Sequence, residues 1–91
     1  MDLAIANLRV LVTAGANGIG LEIARSFVQE GAQVHVCDID REALGRLAQS
    51  DPKLTWSVCD VADRASVARL FEEALQALGG LDVLVNNAGV A

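Results

Sequence analysis

The sequence is poor in the residue types that build nucleic-acid and membrane surfaces. Aromatic residues make up 3% of the 91 residues, tyrosine is missing, and the seven lysines and arginines form no cluster. Both features argue against a nucleic-acid-binding surface. No apolar run approaches the ~20 residues of a membrane-spanning helix. The first seven residues lack the basic start and the apolar stretch of a signal peptide, so we expect a soluble, cytoplasmic protein.

Cysteine and histidine are too few, and too widely spaced, to form a zinc site. Cys37 and Cys59 lie within apolar runs, which predicts buried, reduced thiols. The single histidine, His35, lies inside a strand pattern. A histidine that is packed, or that lies at the rim of the sheet, is therefore favoured over a catalytic one.

What the chain does contain is hydrophobic residues, 53% of the total, in alternating strand and helix patterns. Strands are predicted at residues 8–13, 33–38, 54–59 and 82–85, and helices at 18–30, 41–49 and 64–78. A helix after each strand implies parallel pairing through right-handed crossovers. The prediction is one small α/β domain, ordered βαβαβαβ, with the strands side by side in the order 3-2-1-4.

Periodicity and capping residues refine these elements. The first strand is almost continuously apolar, as expected for a strand that is covered on both faces. Asp40 and Asp63 are placed to cap the second and third helices. The apolar faces of the first and third helices are predicted to contain Ile19, Ile23, Ala24, Phe27 and Val28, and Val67, Leu70, Phe71, Ala74, Leu75 and Leu78, respectively.

The most informative stretch is the glycine-rich turn after the first strand, with Gly15, Gly18 and Gly20. A strand, a tight turn and a helix N-terminus bring backbone N–H groups to one point, where a pyrophosphate binds well. Gly18 and Gly20 are expected to let backbone and ligand approach closely, because neither carries a Cβ. The spacing is not the strict G-x-G-x-x-G motif, so a tight turn without a ligand remains an alternative.

Polar residues follow the other three strands, where Asp38 and Asp60 end strands 2 and 3 and Asn86 and Asn87 follow strand 4. Since the carboxyl ends of parallel strands share one edge of the sheet, we expect these side chains to gather beside the glycine turn. Asp38 is suited to accept hydrogen bonds from a ribose diol, which favours NAD over NADP. Each of the four residues could instead be only a turn former or a helix cap.

Four motifs together resemble the N-terminal half of the short-chain dehydrogenase/reductase family over essentially the whole chain. They are the T-G-x-x-x-G-x-G-like loop Thr13–Gly20, the acid Asp38, the D-V pair Asp60-Val61, and the N-N-A-G sequence that begins at Asn86. The resemblance implies a partial Rossmann fold and an NAD-dependent oxidoreductase. It implies cofactor binding by Gly15, Asn17, Gly18, Ile19, Gly20, Asp38, Asp60, Val61, Asn86, Ala88 and Gly89.

The sequence departs from the family pattern in two ways. Ala14 stands where the family's loop has its first glycine, and its methyl group is expected to crowd the turn. The family's catalytic serine and its Tyr-x-x-x-Lys lie beyond N-N-A-G, and the only lysine here, Lys53, precedes strand 3. Residues 1–91 are therefore expected to be the N-terminal part of one NAD-binding domain, inactive by itself.

Two other functions remain open at this point: a non-catalytic, nucleotide-binding half-Rossmann module, and another Rossmann enzyme such as a methyltransferase. The N-N-A-G and Asp60-Val61 motifs argue against the methyltransferase. Besides NAD, the expected partner is either a complementary chain with the catalytic half or a second copy that associates through strand 4. Asn86 or Asn87 is a candidate to tie strand 4 to that missing half.

Overall fold

In the computed structural model, which describes residues 5–89, strands and helices alternate along the chain. The elements are β1 (Arg9–Thr13), α1 (Gly18–Gln29), β2 (Gln33–Asp38), α2 (Arg41–Ser50), β3 (Thr55–Val58), α3 (Arg64–Leu78), β4 (Val83–Val85) and a short 3₁₀ turn (Asn87–Gly89). The predicted order of elements is confirmed. Each predicted boundary lies within one residue of the observed one.

The four strands form one parallel sheet in the order β3-β2-β1-β4, as predicted. Thr13 at the end of β1 is paired with Cys37 of β2, and Val12 is paired with Val85 of β4. Asp38 in turn is paired with Val58 at the end of β3. The carboxyl ends of all four strands therefore lie along one edge of the sheet.

β1 is buried on both faces, because successive side chains of a strand point to opposite sides. Val10 and Val12 pack into the core on the side of α1 and α2, which also contains Leu44. Leu11 packs into the second core with Leu70 of α3. The nearly continuous apolar run of β1 has this physical cause.

The helix ends follow local sequence signals at most positions. Asp40 caps α2 by accepting a hydrogen bond from the Ala43 N–H (3.0 Å), and Asp63 caps α3 through the Ala65 N–H (3.2 Å). Gly79 ends α3 in the left-handed conformation (φ 78°), which costs glycine little. Both predicted capping aspartates are confirmed.

Two predicted interior positions are wrong. Ile19 is 73% exposed because it lies in the first turn of α1, beyond the end of the β1 core. Leu75 is 48% exposed, although it was assigned to the buried face of α3. The buried positions of α3 are Ser66, Leu70, Ala74 and Leu78, a narrow stripe with a spacing of four.

Both cysteines and the histidine are buried, as the sequence predicts. Cys37 and Cys59 are free and buried, and His35 is packed inside the sheet. Within residues 5–89, no helix combines the length and the apolar character that a membrane crossing needs.

Candidate functional site

The polar residues predicted at the strand ends do lie along one edge of the sheet, around the glycine-rich loop. A small cavity of about 120 Å³ brings residues of all four motifs together. Its lining consists of Ala14, Cys37, Asp38, Ile39, Cys59, Asp60, Val61 and Ala88. Segments that are distant in sequence therefore share one surface.

The three loop glycines have different roles. Gly18 has φ +55°, and nothing lies within 4 Å of the place where its Cβ would be. At Gly15 a Cβ would lie 2.7 Å from the Cβ of Val36, so the absence of a side chain lets the loop pack on β2. Of the three loop glycines, Gly18 alone combines a left-handed backbone with open space, which leaves room for a ligand against the backbone.

At Gly20 the missing side chain has a different role from the one expected from the sequence. A Cβ there would run into the carbonyl oxygen of Ala14 and lie 2.7 Å from Nδ2 of Asn87. The missing side chain therefore serves a contact within the protein. The expected close approach of a ligand is not what requires a glycine at this position.

Ala14 adopts the left-handed conformation, with φ 52°. A residue with a Cβ takes this conformation at a cost of about 1–2 kcal/mol. The sequence predicts that the methyl group of Ala14 crowds the turn. In the structure its effect is an unfavourable backbone conformation at the start of the loop. Glycine would occupy the same conformation without this cost.

The N-terminus of α1 differs from those of α2 and α3. Its N-cap residue, Asn17, makes no side-chain capping hydrogen bond within the described part of the chain. The amides of Gly18, Ile19 and Gly20 begin the helix, where N–H groups have no intrahelical acceptor. Gly18 and Ile19 are exposed, whereas Gly20 is buried. The first two amides and the positive end of the helix dipole can therefore face an anion.

Asp38 is half-buried, and its carboxylate already shapes the site. Oδ2 accepts a hydrogen bond from the Ala16 N–H (3.1 Å), and Oδ1 accepts one from the Asp40 N–H (3.0 Å). Because each carboxylate oxygen has two lone pairs, both oxygens retain capacity for a further donor. Asp38 therefore links the glycine loop to β2 and still presents acceptors to a ligand.

Asp60 and Val61 form the far wall of the cavity. Oδ1 of Asp60 accepts the Ala62 N–H (2.9 Å), and the Asp60 N–H donates to Oγ of Ser66 (3.0 Å). Val61 is 49% exposed. A turn held at both ends thus supports an apolar side chain beside a carboxylate.

Sequence reasoning missed Thr13 as an organising residue. Its Oγ1 lies 3.2 Å from Oδ1 of Asn86, within donating distance, and accepts the Ala88 N–H (3.0 Å). Nδ2 of Asn87 donates to the carbonyl oxygen of Ala14 (3.2 Å). The two asparagines therefore tie β4 to the end of β1. In the sequence, the role of Thr13 could have been suspected because its hydroxyl stands at the end of an otherwise apolar strand.

Burial favours the neutral forms of two side chains on β2, Cys37 and His35. Burial raises the pKa of the Cys37 thiol to about 12, and the adjacent Cys59 contributes in the same direction. Burial also lowers the pKa of His35. Thiolates are the reactive form of cysteine, so the Cys37 thiol is not a nucleophile near neutral pH.

The cavity at this edge is lined by the carboxylates of Asp38 and Asp60 and by the start of the glycine loop at Ala14. Lys53 lies just before the amino end of β3, at the opposite edge of the sheet. Among residues 5–89, no group of three or more histidine, cysteine or acidic side chains could hold a metal ion. The open backbone at Gly18 and the free acceptor capacity of Asp38 fit the pyrophosphate and the ribose of a dinucleotide.

Comparison with known proteins agrees with this geometry. Residues 8–91 match the family model described as short chain dehydrogenase. The chain is 46% identical over 81 residues to L-fucose dehydrogenase of Bos taurus, covering 88% of this chain and 30% of that protein.

Two solved structures support the same comparison. The crystal structure of hydroxysteroid dehydrogenase from Escherichia coli matches with a TM-score of 0.85 and 31% identity, over 93% of this chain and 36% of that one. The 3-ketoacyl-(acyl-carrier-protein) reductase from Brucella melitensis, complexed with NADH, matches with a TM-score of 0.82 and 26% identity, over 88% and 34% of the two chains. The chain thus spans about a third of the length of these relatives.

Proposed function

Because this chain belongs to the short chain dehydrogenase family, we propose that it is the NAD-binding part of an oxidoreductase. Its residues 1–91 form the N-terminal portion of a single cofactor-binding domain. The whole protein transfers hydride between an alcohol or ketone substrate and NAD. We expect it in the cytoplasm.

The observation that carries the proposal is the uncapped N-terminus of α1. Asp40 and Asp63 cap the other two helices with their own carboxylates, whereas Asn17 leaves the first amides of α1 without a side-chain partner among the described residues. At Gly18, the first residue of α1, the place that a Cβ would take is open. A pyrophosphate group is the complementary ligand in charge and in hydrogen-bonding capacity.

The choice of NAD over NADP rests on Asp38. Its carboxylate can accept hydrogen bonds from the 2′- and 3′-hydroxyls of the adenosine ribose. The 2′-phosphate of NADP would stand close to the same carboxylate. Like charges ~4 Å apart repel by about 4 kcal/mol per unit charge at an effective dielectric constant near 20. The NADH complex of the Brucella melitensis relative is compatible with a nicotinamide cofactor at this site.

The residues of this chain bind and orient the cofactor, and bound NAD supplies or accepts the hydride. Gly15, Asn17, Gly18, Ile19 and Gly20 form the loop at the pyrophosphate. Asp38 binds the ribose, Asp60 and Val61 bind the adenine, and Asn86, Ala88 and Gly89 line the side of the remaining ribose. The family's general acid/base is a tyrosine, and the 91 residues contain none, so we propose that they are inactive alone.

We also propose that the outer edge of β4 is an assembly surface. β4 is the last strand of the described sheet on that side, and the relatives extend to about three times the length of this chain. The partner is a complementary chain with the catalytic half or, without one, a second copy.

Titration of the chain with NADH and NADPH, followed by calorimetry, tests the assignment of the cofactor. NADH should bind at least tenfold more tightly. The Asp38→Asn variant keeps the side-chain shape but loses the charge, so the preference should narrow at least tenfold, or about 1.4 kcal/mol. Glu30→Gln removes one charge at the opposite end of α1 and serves as the control. Equal affinities of the unmodified chain for NADH and NADPH would refute the role of Asp38.

A further inference from the structure

Ala14, Gly20 and Asn87 form a tight junction between the glycine loop, α1 and the turn after β4. The carbonyl oxygen of Ala14 accepts a hydrogen bond from Nδ2 of Asn87 at 3.2 Å. Asn87 is half-buried. A Cβ on Gly20 would meet both of these groups. Three segments therefore contact one another with no space for an additional carbon atom.

The loop residue at this junction is the strained one. Ala14 has φ 52°, a backbone conformation that is unfavourable for any residue with a Cβ. A contact at the adjoining peptide group holds this conformation, and the Gly15 N–H supplies one by donating to the Cys37 carbonyl at 3.0 Å. The Asn87 amide supplies a second such contact, because its donor is directed at the carbonyl of Ala14 itself.

The attachment of the Asn87 turn itself does not depend on the Asn87 side chain. Thr13 holds the turn separately, since its Oγ1 accepts the Ala88 N–H at 3.0 Å and lies 3.2 Å from Oδ1 of Asn86. Removal of the Asn87 amide would thus leave the turn attached to β1. The effect of that removal would be concentrated on the backbone at Ala14.

We propose that Asn87 is a positioning residue that keeps the glycine loop in its ligand-ready shape through the carbonyl of Ala14. The chain depends on this contact because it carries alanine, and not glycine, at position 14. The consequence for cofactor affinity rests on the proposed function, whereas the consequence for loop order does not.

The test compares the unmodified chain with Asn87→Ala, Ala14→Gly and the double variant. Hydrogen exchange of the amides of residues 15–20 is measured by NMR, and the dissociation constant of NADH by titration. Asn87→Ala should accelerate loop exchange and weaken NADH binding about tenfold. In the Ala14→Gly background the same substitution should weaken binding threefold or less, because glycine adopts the left-handed conformation without support.

A control for general destabilisation is Asn7→Ala. Asn7 is the other non-glycine residue with positive φ among the described residues (68°). Its N–H donates to the Gly31 carbonyl just after α1, at the far end of that helix. This variant should lower stability and leave NADH affinity unchanged.

Three results would overturn the inference: unchanged loop exchange in Asn87→Ala, an equal loss of NADH affinity in both backgrounds, or weaker NADH binding in Asn7→Ala. If the Asn87→Ala variant does not fold, the urea unfolding midpoint of the Ala14→Gly variant tests the strain at Ala14. A raised urea midpoint supports strain at Ala14, and an unchanged or lowered midpoint contradicts it. Failure of every variant to bind NADH would refute the proposed function, while loop exchange would still test the junction.

Discussion

At the scale of single residues, His35 is a titratable group enclosed within the sheet. It is 2% exposed. Its Nδ1 lies 2.7 Å from Oγ1 of Thr55, and its Nε2 lies 2.7 Å from Oγ of Ser57. The imidazole therefore fastens the edge strand β3 to β2. Burial lowers the pKa of His35, and Glu73 of α3 opposes this shift only in part.

The lowered pKa of His35 predicts a loss of stability in mild acid. The folded state holds the ring neutral, whereas the unfolded chain takes up a proton near pH 6.5. Stability should therefore be complete above about pH 6.5 and fall below it, by at most about 1.4 kcal/mol per pH unit. Urea unfolding between pH 7.5 and 5 measures this slope.

The His35→Gln variant is the control for that pH dependence. Because glutamine does not titrate, the free energy of unfolding of this variant should change less between pH 6.5 and 5. Carboxylates that the fold keeps ionised change the stability at lower pH than His35 does. Asp82 is an example, since Arg9 lowers its pKa to about 2. A slope that persists unchanged in His35→Gln would exclude His35 as its source.

At the scale of elements, α3 illustrates how little of an apolar helix face a sheet can cover. Leu70 is 2% exposed and packs with Leu11 of β1, whereas Leu75 is 48% exposed. The two leucines lie on the same helix, with the same local propensity. Their packing differs because Leu70 lies on the side of α3 that faces the sheet, together with Val67 and Phe71, whereas Leu75 lies away from it.

These two leucines form a matched pair for mutation. Leu70→Ala should lower the free energy of unfolding by about 2–5 kcal/mol, because it leaves a cavity in the core. Leu75→Ala should change it by about 0.5 kcal/mol or less, as expected at an exposed position. Chemical denaturation of both variants measures the difference. Similar losses in the two variants would contradict the orientation of α3.

At the scale of the whole molecule, the two edge strands of the sheet, β3 and β4, differ in how well they are protected against pairing with another strand. The groove beside β3 contains the exposed apolar side chains of Ile39 and Trp56. It also contains the charged side chains of Arg41, Arg69 and Glu73, which oppose pairing with another strand. At the other edge, β4 presents Leu84, which is 50% exposed. Arg9 secures the start of this strand by hydrogen bonds to Asp82 at 2.9 and 3.0 Å. β4 is therefore a firmly placed edge with an apolar side chain.

This asymmetry predicts concentration-dependent self-association of the isolated chain through β4. Leu84→Lys should shift the equilibrium toward the monomer, because a charged side chain blocks edge pairing. Trp56→Lys, on the β3 edge, should leave the association unchanged. Sedimentation equilibrium over a wide concentration range compares the three proteins. A natural chain that stays monomeric at high concentration would refute the prediction.

The order of the elements, their ends and the burial of β1 on both faces could be predicted from the sequence. These features depend on local patterns: apolar periodicity, and the capping aspartates Asp40 and Asp63 within three residues of the amides that they bind. The edge that gathers Asp38, Asp60 and Asn86 was also predictable, because parallel strands place their carboxyl ends together.

Only the tertiary structure decided how that edge is held together. Thr13 and Asn86 are 73 residues apart, as are Ala14 and Asn87, and no local pattern records which side-chain atoms meet. For the same reason, the sequence did not reveal that Gly20 makes room for a contact within the protein. The backbone strain at Ala14 also appears only after folding, because the conformation of that residue is imposed by strands and loops that arrive from elsewhere in the chain.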